Sequence, residues 1–211
     1  MSVVISITNQ KGGVGKTTSA VNLAYYLAKA GKKVLLVDFD PQGNATSGLG
    51  VDKDKLNITM SDVMLGKKLL KDTIIATDYK NLWLAPSTPH LANTEAELAQ
   101  AERRFSRLKV AIESVANQYD FILIDSPPSL SLLTVNGLIA ARYILLPVQA
   151  EFYALEGVAQ LLDSMMLVRK AMNPDLKLLG VLATMYDKRT SLSAQVLVEI
   201  KRYFKDKEFE T

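Results

Sequence analysis

Cysteine is absent from the 211-residue chain. Without thiols there can be neither disulfides nor a thiolate metal centre, and a reducing compartment, the cytoplasm, is the natural setting. No run of eighteen apolar residues occurs, and Met1 leads straight into a β-like stretch with no basic n-region or long apolar h-region. Neither a membrane-spanning helix nor a secretory leader is therefore expected. A strong charge of either sign is missing too: 25 Lys/Arg stand against 22 Asp/Glu, a net +3. The balance is uneven, because the segment from Arg169 to Thr211 carries nine Lys/Arg and six Asp/Glu, a surplus as large as that of the whole chain. Any basic footprint would be sought in that last fifth, and it would need clustering on one face. No repeat, low-complexity tract or linker interrupts the chain.

What is present is apolar residue in quantity, 48% of the total, enough for one domain over residues 1–211. Short apolar runs alternate with helix-period segments, the pattern of an α/β fold in which a mostly parallel sheet has helices on both faces. Strands are expected at Val3–Ile7, Lys33–Asp38 (entered through Gly31), Leu82–Ala85, Tyr119–Asp125, Tyr143–Val148 and Leu176–Thr184. Helices are expected at Thr17–Ala30, Ala101–Gln118, from about Leu132, Leu155–Met172 and Ser191–Phe204. Gly43 to Leu82, with an ambiguous helix near Met60–Leu70, reads as an excursion at the sheet edge. One more strand and helix would normally complete such a sheet, and the chain is expected to lack them.

The first strand–helix junction reads Asn9-Gln10-Lys11-Gly12-Gly13-Val14-Gly15-Lys16-Thr17-Thr18. Unpaired amides and the helix dipole at such a junction favour an anion. Glycines let the backbone curl with its amides inward, Lys16 would reach the β/γ-phosphates, and the Thr17 hydroxyl would bind magnesium. A nucleotide phosphate loop over Lys11, Gly12, Gly13, Val14, Gly15, Lys16, Thr17 and Thr18 follows. It departs from the ordinary pattern in having Gln10 at the first glycine position and a second lysine, Lys11, beside it.

The second strand ends in VLLVDFDPQGN and the fourth in YDFILIDSPPS, which deliver Asp38, Asp40 and Asp125 to the rim where open α/β sheets bind ligands. Asp125, after four apolar residues, reads as a magnesium-side carboxylate. Beside a γ-phosphate, the first pair could orient an attacking water or hold metal through water. Pro127 and Pro128 keep the next segment stiff, as a segment that senses the γ-phosphate would be.

The loop KGGVGKTT resembles that of the deviant Walker A P-loop ATPases. Together with VDFDPQGNATSGLG, DSPPSLSLLT and PVQAEFYALEG, it resembles the ParA/Soj family of chromosome- and plasmid-partitioning ATPases over nearly the whole chain. The resemblance implies an ATP-sandwich homodimer in which Lys11 touches the facing subunit's nucleotide and Gly12 lies at the dimer face. It also implies Lys11, Lys16 and Asp40 as catalytic residues, Asp40 positioning water, and a magnesium site of Thr17 and Asp125 with Asp38 behind them. The implied activity is slow, Mg²⁺-dependent ATP hydrolysis, stimulated by a ParB/Spo0J-type partner, with non-specific binding of double-stranded DNA through Arg189 and Lys188. Lys201, Arg202, Lys205 and Lys207 are nearby candidates. The implied location is cytoplasmic and nucleoid-associated, without membrane binding. The alternatives are a MinD-like membrane-associated positioning ATPase, which needs a C-terminal amphipathic helix, and a metabolic ligase that phosphorylates a small carboxylate. The TVIPRN-type motif that ordinarily follows in the family is not present before Thr211.

Overall fold

The computed structural model describes residues 2–151, 156–204 and 208–209. Strand β1 (Val3–Ile7) feeds helix α1 (Lys16–Lys29), which returns to β2 (Val34–Asp38). An excursion follows: α2 (Asn44–Gly48), a 3₁₀ turn at Lys53–Lys55, α3 (Met60–Met64), α4 (Leu70–Thr73), β3 (Ile75–Ala76) and β4 (Leu82–Ala85). Next come α5 (His90–Leu98), α6 (Arg107–Glu113), β5 (Phe121–Asp125), α7 (Leu132–Ala140), β6 (Tyr143–Gln149), α8 (Glu156–Ala171), β7 (Lys177–Thr184), α9 (Ser191–Phe204) and the two-residue β8 (Glu208–Phe209).

Among the described residues the strands form one sheet in the order β3-β4-β2-β5-β1-β6-β7-β8. Every pairing is parallel except β3 on β4 at the edge. The five residues of β2 are all buried, as a strand covered on both faces requires. Alternate residues serve opposite layers. Ile5, Ile7, Leu36 and Leu123 pack with Ala20, Ala24 and Ala28 of α1, while Val4, Leu35, Ile122 and Ile124 pack with residues of α3, α6 and α7. The four-residue spacing of the α1 alanines puts small side chains on one stripe, so the helix can lie close to the sheet. Burying one Val, Leu or Ile side chain contributes about 1.5–3 kcal/mol, and strands and helices both supply them.

Two expectations change. The segment 101–118 is not one helix. Arg103 takes a left-handed backbone at φ 55°, and the buried Asn136 of α7 donates to Arg104 O at 2.7 Å and accepts from Leu108 N at 3.4 Å, so α6 starts only at Arg107. Leu108, Ile112 and Val115 do face the core as their spacing predicts. The ambiguous helix near Met60–Leu70 divides into α3 and α4 at Gly66. Thr59 and Asp62 cap the start of α3 reciprocally, a signature visible in the sequence. Leu155, at the expected start of α8, lies outside the described residues.

Candidate functional site

The sheet brings its C-terminal strand ends to one rim, and β1, β2 and β5 are adjacent there. Ile7 and Asp38 are both register partners of Asp125. The loop after β1 therefore sits directly beside Asp125, with Asp38 one strand further along the same rim, an order set by β5 inserting between β1 and β2.

The loop is anchored by residues remote in sequence. Asn9 Nδ2 donates to Pro147 O at 2.7 Å, and Asn9 Oδ1 accepts from Lys11 N at 3.0 Å. Thr184, the last residue of β7, donates through Oγ1 to Val14 O at 2.8 Å. Gly13 and Gly15 have φ of 75° and 84°, left-handed values that a Cβ disfavours; they turn the chain into α1. Lys16 is only 6% exposed, and its ammonium donates to Lys11 O at 2.8 Å. Burial lowers its pKa, opposed by the charges of Asp125 and Asp40. Thr17 is half-buried on the first turn of α1, while Thr18, Gly12 and Gly13 are exposed. Lys11 is half-exposed and ion-paired with Glu151, just beyond β6.

The carboxylates differ in how they are held. Asp38 Oδ2 accepts from Thr46 N at 2.7 Å and Thr46 Oγ1 at 2.6 Å, and Oδ1 accepts from Asp40 N at 3.3 Å. Burial still pushes its pKa up to about 6. Asp40, 6% exposed, accepts from Gln42 N at 2.9 Å. Asp125 is fully buried, and neither of its oxygens is in a well-formed hydrogen bond among the described residues, the Thr17 hydroxyl being the hydrogen-bonding neighbour that lowers its pKa. Burial, then the charge of Asp38, pushes its pKa up to about 8, with Thr17 and Lys16 opposing. An unpaired buried carboxylate is costly. This one stands where a cation beside Lys16 and Thr17 would satisfy both oxygens. Loop amides, a buried lysine, a helical threonine hydroxyl and three rim carboxylates together suit a polyphosphate and a hard divalent cation.

Comparison with known proteins agrees with this geometry. A family model described as an AAA domain matches residues 2–178. The sporulation initiation inhibitor protein Soj of Bacillus subtilis is 52% identical over 100% of this chain and 83% of its own. The chromosome partitioning protein ParA of Myxococcus xanthus is 47% identical over 98% of this chain and 73% of its own. The chain belongs to the ParA/Soj family of partitioning ATPases. Two solved relatives align over nearly all of it. Cobyrinic acid a,c-diamide synthase from Mycobacterium smegmatis, with bound ADP and magnesium, has a TM-score of 0.93 at 41% identity, covering 97% of this chain and 83% of that one. A putative plasmid partition protein of Borrelia burgdorferi bound to AMPPNP has a TM-score of 0.84 at 33% identity, covering 99% and 83%. As in these relatives, the ParA/Soj fold here is a mostly parallel α/β sheet of the P-loop NTPase kind.

The remaining expected residues of this ParA/Soj chain lie apart from the nucleotide loop. Lys188 and Arg189 are exposed on the turn after β7, beyond the Thr184 that anchors Val14. The Arg189 guanidinium is taken up by Asp187, with Nε and Nη2 at 2.9 and 2.8 Å from its oxygens. Lys201 and Arg202 are exposed on α9, whereas Lys205 and Lys207 lie outside the described residues. Sequence reasoning did not find Glu151, Thr46, Thr184 or Asn9 as parts of the site. Asn9 and Glu151 do fall within the motifs NQKGG and PVQAE, but nothing local discloses their partners. No described helix is long and apolar enough to cross a membrane.

Proposed function

We propose that this chain is an ATP-driven DNA-partitioning switch whose site is the loop from Lys11 to Thr18 with Asp38, Asp40 and Asp125. The observation that carries this is Asp125, fully buried beside Lys16 and Thr17 without a well-formed hydrogen bond to either oxygen. Thr17 and Asp125 would hold magnesium, with Asp38 behind them, and the ion would offset phosphate charge when bound. The backbone amides of the exposed Gly12 and Gly13 and the Lys16 ammonium would bind and orient the phosphates. Lys16 must then exchange the Lys11 carbonyl for phosphate oxygen. Asp40 would hold the attacking water in line, since it stands at the same rim with one oxygen free of the Gln42 amide.

Lys11 supports the dimer part of the reading. It is half-exposed at the outer lip of the loop, and its only described carboxylate partner is Glu151. In a closed homodimer it would leave Glu151 for the facing nucleotide. DNA would bind without sequence preference through the basic turn holding Lys188 and Arg189, and a ParB-type partner would stimulate hydrolysis and release. Cytoplasmic, nucleoid-associated action follows from that cycle.

The test is duplex DNA binding with ATP, with ADP and without nucleotide, at two salt concentrations. Binding is expected only with ATP and should fade as salt rises; equal binding in all three states overturns the switch. A second reading, an ATP-using amide-forming ligase, is favoured by the name of the Mycobacterium smegmatis relative. ATP turnover that requires a small carboxylic acid and an amine donor, and ignores DNA, would select it.

A further inference from the structure

A second concave surface lies on the α3–α6 layer, formed by residues that contribute nothing to the strand-end site. One wall is α6 and the other is the segment from Gly66 to Leu70, and the groove encloses about 430 Å³. Helix α6 presents two different faces. Leu108 and Ile112 bury into the core, while Arg107, Val110, Ala111 and Ser114, at the i, i+3, i+4, i+7 spacing of one helix face, line the groove. Opposite them stands Leu69. It is 59% exposed and Val110 is 53% exposed, so two large apolar side chains face solvent across one cleft, over a floor of buried Val63 and Leu70.

The rim of this cleft is basic. Lys68, Arg103 and Arg107 line it against a single carboxylate, Glu102, and none of the three is in a salt bridge among the described residues. Arg107 is held in place by backbone alone: its guanidinium donates to Met64 O at 3.1 Å and to Glu102 O at 3.3 Å. That position depends on Gly66, where an added Cβ would come within 3.1 Å of Arg107 Nη1 and the φ is 74°. Its positive charge is thus fixed at the groove and left uncompensated.

We propose that this groove docks an acidic amphipathic helix of a partner protein, apolar side chains entering between Leu69 and Val110 and carboxylates meeting Lys68, Arg103 and Arg107. In helix-in-groove recognition the apolar face of an amphipathic helix lies in an apolar cleft, which Leu69, Val110, Val63 and Leu70 supply here, and the rim charge selects an acidic ligand and guides its approach. A DNA backbone would use the cations but has no use for Leu69 and Val110. The groove shares no lining residue with the phosphate loop or the rim aspartates, so the inference stands apart from the proposed switch.

The probe is a labelled synthetic helix with leucines along one face and glutamates flanking them, titrated with the full chain by fluorescence anisotropy. Saturable binding is expected. Val110→Asp and Lys68→Glu should each weaken it by about tenfold or more, and a peptide with lysines in place of the glutamates should not bind. Both substitutions are on the surface, and unchanged far-ultraviolet circular dichroism would verify folding. Absence of binding, equal binding of the lysine peptide, or insensitivity to either folded variant overturns the proposal. So does complete displacement of the peptide by duplex DNA whose own binding Val110→Asp leaves unaltered, since the surface would then be a phosphate contact.

Discussion

Asp38 and Asp125 stand side by side as register partners across β2 and β5, yet only Asp38 is held, by the amide and hydroxyl of Thr46 at 2.7 and 2.6 Å. Two adjacent buried carboxyls, one firmly held and one not, leave charge at the rim that is costly to keep buried.

The pH dependence of the nucleotide-free protein should show this. Both carboxyls bind protons more tightly folded than unfolded, with pKa values near 6 and 8 against 3.8. Their stabilisation is complete below the unfolded value and is lost as pH rises through 6 and then 8, by at most about 1.4 kcal/mol per pH unit for each group. Urea unfolding midpoints should fall from about pH 4 to about pH 8 and level off above that, and Asp125→Asn should flatten the part of the fall above about pH 6. An unaltered slope in the variant would count against the raised pKa of Asp125.

Lys16→Ala should abolish useful nucleotide binding. The ammonium is buried at the loop and has already exchanged water for the Lys11 carbonyl. Loss of its charged contacts to phosphate should cost affinity at least about a hundredfold. Isothermal titration with ATP and magnesium checks it, and wild-type affinity would remove Lys16 from the site.

Asp40→Ala should leave ATP bound and slow its hydrolysis roughly 10²- to 10⁴-fold, the range for loss of a group that positions or activates water. The turn should survive, because Gly43 N still donates to the backbone oxygen of residue 40, at 2.9 Å in the wild type. Single-turnover hydrolysis measured beside equilibrium ATP binding separates the two effects. Unchanged turnover would sink the assignment.

Gly12→Val should spare monomer folding and nucleotide binding while blocking dimer closure. A Cβ at Gly12 meets nothing within 4 Å in its own chain, and the residue is exposed at the loop crest. Obstruction by the chain's own atoms is thus not expected at the Cβ, and equilibrium ATP binding by the variant separates a blocked phosphate site from a blocked dimer face. Light scattering with ATP, wild type against variant, decides it: an ATP-dependent dimer of the variant would place the loop away from the interface.

The sequence by itself determined the α/β class, the main strands, the phosphate loop and the three rim aspartates. Those features are written locally: β2 and β5 are uninterrupted apolar runs, and Gly-Lys-Thr at a strand–helix junction has a meaning independent of what surrounds it. It did not determine where α6 begins, because the buried Asn136 sets that limit from another helix. Nor did it disclose that Glu151 holds Lys11, that Thr184 braces Val14, or that Thr46 satisfies Asp38 while Asp125 goes without. Each is a contact between chain segments whose neighbourhood is created only by strand order and register. Sequence spacing sets a residue's period and turn chemistry, whereas the desolvation and pairing that distinguish one strand-end aspartate from its neighbour exist only once the sheet is assembled.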